Sequence, residues 1–94
     1  MTFEELLSYT RGLEGRVLRT LAQGAKFRVR VDKHRLVYTP ESTGTERPHT
    51  FKFANRVFEK FLKTRSFRPG DYRDISKNAS YMLALISMCS ESMK

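Results

Sequence analysis

Between Lys26 and Thr39 the apolar residues change their period, and that change decides which folds are open to the chain. Phe27, Val29 and Val31 alternate with Lys26, Arg28 and Arg30. This is the two-residue period of a strand with one face buried and one in water. Asp32-Lys33-His34-Arg35 reads as a turn and Leu36-Val37-Tyr38-Thr39 as the returning strand. On either side the apolar residues recur at helical steps of three and four. A hairpin set among helices predicts a small α+β domain, in the order α-β-β-α-α over residues 1–94. A hairpin alone is marginal in water, so this one must lie on the helices or pair with another chain.

Before the hairpin, Thr2 and Glu5 have the spacing of a capping box. Phe3, Leu6, Leu7, Leu13, Val17, Leu18 and Leu21 then trace a stripe that predicts a helix over about 3–22. Gly12 and Gly15 fall inside it, each at a cost of about 1 kcal/mol relative to alanine. A bend or a close backbone approach is expected there, and Gly24 is a natural left-handed stop.

After the hairpin, Pro40–Pro48 (PESTGTERP) is a loop, and Pro48 suits the first turn of a helix with Thr45 or Glu46 as its cap. Ala54, Val57, Phe58, Phe61 and Leu62 form the apolar side of that helix, which should end near Lys63 or Thr64. At about 100° per residue, Lys52, Asn55, Arg56, Glu59, Lys60 and Lys63 gather on the other side. Pro69-Gly70 marks a turn, and 71–76 suit a short helical turn with Tyr72 and Ile75 inward. The last helix, SYMLALISMCS, capped by Asn78 or Ser80, is apolar nearly all round. Such a helix is buried centrally or in a subunit interface. In a domain this small, a homodimer through 80–90 is the expectation.

The net charge of +8 is unevenly placed. Residues 1–25 and 69–94 are each neutral, while 26–68 hold twelve bases against Asp32, Glu41, Glu46 and Glu59. A surplus confined to one stretch suggests a surface for a polyanion. Charge spread only for solubility is the plainer account of it. The single cysteine, Cys89, permits no internal disulfide and fits a reducing compartment. No apolar run reaches the length of a membrane span, and MTFEELLSYTR lacks the apolar centre of a secretory signal. A cytoplasmic location is the expectation.

Chemistry finds little support. His34, His49 and Cys89 have no metal-ligand spacing; His34 suits a solvated turn and His49 the start of a helix. Cys89, between Met88 and Ser90 in a greasy helix, reads as an inert thiol. Asp71 and Asp74 could share a face, but acids near a helix start are the simpler account. Ser42-Thr43-Gly44-Thr45 lacks the P-loop pattern and at most touches a backbone phosphate, with Arg47 beside it. No enzyme, cofactor or metal is expected.

What remains is binding. Arg56, Lys60 and Lys63 stand one or two helical turns apart, with Lys52 nearby, and Asn55 is the residue best suited to read a base. Arg28, Arg30 and Arg35 would add charge from the hairpin. A solvated face with a weak Glu59–Lys63 pair would account for the helical residues singly. It accounts less well for charge on two separate elements. Most phenylalanines fall on core faces, with Phe53 and Tyr38 the candidates for stacking on a base, which favours duplex DNA over a single strand. The expected function is non-enzymatic nucleic-acid binding. The alternative is a protein–protein module, an adaptor or inhibitor of a nucleic-acid-processing complex. It would dock an acidic surface on its basic face or use its apolar last helix.

Overall fold

The computed structural model describes all residues, 1–94. Helix α1 (Phe3–Arg11) leads to a four-stranded antiparallel sheet, β1 (Leu18–Arg19), β2 (Lys26–Val31), β3 (Arg35–Pro40) and β4 (Arg47–Thr50). Helix α2 (Phe51–Thr64), a 3₁₀ turn at Pro69–Tyr72 and helix α3 (Ala79–Ser92) follow. The strands lie side by side in chain order. The fold is α+β, with the expected hairpin as the centre of a wider sheet.

Register gives the sheet two unlike faces. Leu18, Phe27, Val29, Tyr38, Leu36 and His49 are paired through the ladder on one face and are all buried. All three helices bury their apolar sides in the same cluster, so they cover this face alone. The other face carries Arg19 opposite Lys26, Arg28 opposite Thr39, Arg30 opposite Val37, and Arg35 opposite Thr50. No helix lies over it. Val37 is buried there outside the core cluster, between Arg30 and Pro48 in the ladder. The aliphatic stems of long basic side chains can shield such a residue while their charged ends stay in water.

The first helix is shorter than its stripe predicts. The Thr2–Glu5 capping box forms as expected, but α1 stops at Arg11 and a turn follows. Gly15 takes φ +83°, a left-handed value that no helix continues through. Leu18 is then buried as a strand residue, while Val17 and Leu21 are exposed at 44% and 48%. Gly24 is left-handed as expected, but in the turn between β1 and β2.

Pro48 also falls elsewhere: it lies in β4 and not in the first turn of a helix. An edge strand tolerates the missing N–H, and Asn78 Nδ2 donates to the Pro48 carbonyl at 3.2 Å. Thr50, not Thr45 or Glu46, stands at the N-cap of α2, without a side-chain bond. The 3₁₀ turn comes two residues earlier than expected and buries Tyr72 completely. Leu62 is exposed at 39%, on the margin of the α2 apolar side.

Helix α3 sits at the middle of the helical layer. Ala79, Met82, Leu83, Ala84, Leu85, Ile86 and Cys89 are buried within the single chain. The helix is thus covered from its own side, and its composition supplies no argument for a second copy.

Candidate nucleic-acid interface

On β2, alternation sends Lys26, Arg28 and Arg30 to the uncovered face at steps of about 6.8 Å along the strand. Arg19 and Arg35 extend the row on the flanking strands. Two of these guanidinium groups are fixed without being neutralised. Arg28 Nη1 donates to the Gly15 carbonyl at 3.2 Å, and Arg19 Nη1 donates to the Gly24 carbonyl at 3.1 Å. A carbonyl orients the group but leaves its full charge and its other N–H donors available. Both glycines are left-handed, so the turns that hold these carbonyls depend on them.

Arg30 and Arg35 are partly answered by acids. Arg30 Nη1 donates to Asp32 Oδ2 at 2.7 Å and Nη2 to Glu46 Oε2 at 3.1 Å; Arg35 Nε reaches the same Asp32 oxygen at 3.3 Å. The Arg30 guanidinium holds the Asp32 carboxyl below its ordinary range, with Arg35 adding to the effect. The same bonds raise Arg30 further above neutrality. These pairs are solvent-exposed, and pairs of that kind contribute little because water and salt screen them. A phosphate arriving on this face can therefore replace either carboxylate at small cost.

A second group of bases lies on α2. Lys52, Arg56 and Lys63 are exposed, and helical geometry sets them opposite the buried Ala54, Val57, Phe58 and Phe61. Phe53 is exposed at 41% between two of them, with Lys52 Nζ 5.9 Å and Arg56 Cζ 5.8 Å from its ring centroid. Two residues expected beside them are otherwise engaged. Lys60 Nζ donates to the Asp71 carbonyl and lies 3.3 Å from Asp74 Oδ1, 5.5 Å from the Tyr72 centroid. Asn55 Nδ2 donates to Glu59 Oε1 at 2.9 Å, which takes Glu59 in place of the expected Glu59–Lys63 pair.

The sheet row and the helix row are not one surface. The α2 apolar side enters the core on the covered face of the sheet, so its basic side looks away from the sheet. Arg28, Arg30 and Arg35 look the other way, with the core between. Arg47, which adjoins the loop, faces inward: its Nε donates to Asn78 Oδ1 at 2.9 Å and its guanidinium lies over the Tyr81 ring. Sequence reasoning missed Arg19 on the sheet row. A two-residue strand has no period to reveal it.

His49 and Tyr38 leave their expected places for the interior. Tyr38 Oη lies 2.9 Å from His49 Nδ1, and Ser76 Oγ 3.0 Å from His49 Nε2. Burial lowers the His49 pKa to about 4 and pushes the Tyr38 phenol up. Tyr38, fully buried, offers no stacking surface. A serine hydroxyl against a histidine is the geometry of an activated nucleophile. That chemistry requires an imidazolium, which burial disfavours here, and the far ring nitrogen meets a phenol instead of a carboxylate. The trio instead ties β3 to β4 and to the segment before α3, and no buried side-chain polar atom lacks a partner.

No group of three or more His, Cys, Asp or Glu is placed to hold a metal ion. A cleft of about 230 Å³ beside Tyr81, bordered by Leu21 and Phe67, has no charged side chain in its walls. No helix is long and apolar enough to cross a membrane. No protein-family model, curated protein or solved structure matches this chain.

Proposed function

We propose that the chain is a small nucleic-acid-binding protein that holds the phosphate backbone of duplex DNA against the uncovered face of its sheet. The observation that carries this reading is the face itself: Arg19, Lys26, Arg28, Arg30 and Arg35 share it, with no aromatic side chain among them. Cations at steps of about 6.8 Å are close to the through-space spacing of successive phosphates along one duplex strand. Without an aromatic side chain there is nothing to stack a splayed base, so backbone contact is favoured over single-strand capture. Affinity then comes from counterion release and is insensitive to sequence.

Fluorescence anisotropy of mixed-sequence duplexes and single strands across a salt series tests it. Duplex binding should weaken steeply with salt. The double variant Lys26→Gln, Arg28→Gln should lower affinity alike for every sequence, and should flatten the log–log salt slope by about 2. No binding of either form at low salt would reject the proposal.

A second reading has one observation in its favour. Arg30 and Arg35 already grip the carboxylates of Asp32 and Glu46, as they would those of an acidic protein surface. A partner that stays on the immobilised protein after nuclease treatment, and leaves when Arg30 and Arg35 are neutralised, would select it.

A further inference from the structure

We infer that one copy of this chain has two separate polyanion-binding faces and bridges two nucleic-acid segments, an inference that rests on the sheet-face reading above. The second face is the exposed side of α2, with Lys52, Arg56 and Lys63 at its centre.

Three observations carry the step from one face to two. The first is direction. The residues of α2 most nearly opposite its basic side are Ala54, Phe58 and Phe61, all in the core that also receives Phe27, Val29 and Tyr38 from the sheet. The two rows of cations therefore lie on different surfaces with one core between them.

The second is separation. The body measures 32 × 25 × 25 Å. At physiological salt a charge is screened within about 8 Å, so neither row feels what is bound at the other. A duplex is stiff over about 150 base pairs and cannot fold around a body of this size to occupy both. Filling both faces therefore takes two segments.

The third is order within the α2 row. Lys52 and Arg56 both lean on the exposed Phe53 ring, a favourable arrangement for a cation over an aromatic face. Neither has a carboxylate partner. Lys60, by contrast, is turned aside to Asp74 and takes no part. Two of the free cations on α2, Lys52 and Arg56, are thus grouped around one ring, where they can meet adjacent phosphates.

The test is a retention assay with a duplex tethered to beads and a second, fluorescent duplex in solution. The wild-type protein should hold the labelled duplex on the beads at low salt. The triple variant Lys52→Gln, Arg56→Gln, Lys63→Gln changes only exposed side chains, so circular dichroism should show it folded. It should still bind one duplex in a mobility-shift assay while retaining about tenfold less labelled duplex. If the wild type binds single duplexes but retains no second one, bridging is wrong and the sheet-face reading stands. Equal retention by the triple variant would overturn the inference as well, since the second segment would then lie elsewhere or on another copy. A wild type that binds no duplex at all removes the sheet-face reading and the bridge with it.

Discussion

His49 is held in the neutral form between a phenol and a serine hydroxyl, and this has a measurable consequence. Its pKa falls from 6.5 to about 4 because burial penalises the charged ring. As pH drops, the unfolded chain takes up the proton first, near 6.5, and the folded chain only near 4. The stability tied to His49 is therefore complete above pH 6.5 and is lost progressively down to about 4. A shift of this size corresponds to about 3 kcal/mol. Urea denaturation across that range should show the wild type losing about this much more than His49→Gln, which cannot titrate. Parallel curves for the two proteins would disprove it. Cys89 is a second residue with a local prediction. It is completely buried and burial pushes its thiol up, so it should react with a disulfide reagent only at the rate of unfolding. Rapid labelling of the folded protein would contradict this. The burial of Cys89 was legible from its apolar neighbours. The place of His49 was not, because Arg47-Pro48-His49-Thr50 has no apolar alternation and only the register with Leu36 turns the ring inward.

Among the elements, those with a clean period emerged close to their expected bounds, and those without one did not. The α2 pattern repeats for several turns, so its two faces could be read directly. The α1 stripe continued past its helix because Leu13 and Leu18 happen to sit at helical spacing while serving a turn and a strand. What keeps the chain from resuming a helix after α1 is conformational. Gly15 adopts φ +83° with open space where a side chain would start, so Gly15→Ala should be penalised by the backbone and not by a clash. The expected loss is about 1–2 kcal/mol in chemical denaturation. Affinity for duplex should weaken with it, since the same residue offers the carbonyl that orients Arg28. No change in stability would mean the turn can be rebuilt without that conformation. In α3, Leu85 is fully buried, and Leu85→Ala should cost about 3 kcal/mol by the same measurement. A loss under 1 kcal/mol would show that α3 is not the centre of the helical layer.

For the whole molecule, the distribution of charge along the chain was legible and its distribution in space was not. Periodicity gives each element an inside and an outside, but says nothing of where one element's outside points relative to another's. Counting by segment placed the whole surplus in 26–68; only the fold separates its sheet row from its α2 row and turns Arg47 inward. That division determines how stability responds to salt. The ion pairs present, such as Arg30–Asp32 and Lys60–Asp74, include exposed partners and are worth little each. Against them stands a net charge of +8, grouped into like-signed rows that repel within themselves. Screening weakens both effects, but the repulsion is the larger, so adding salt should stabilise the protein. The urea midpoint should rise between low and physiological ionic strength. Duplex DNA should give the same stabilisation at low salt, by binding the folded form, and lose that power as salt rises. A midpoint that falls with added salt would mean that the ion pairs outweigh the repulsion within the rows.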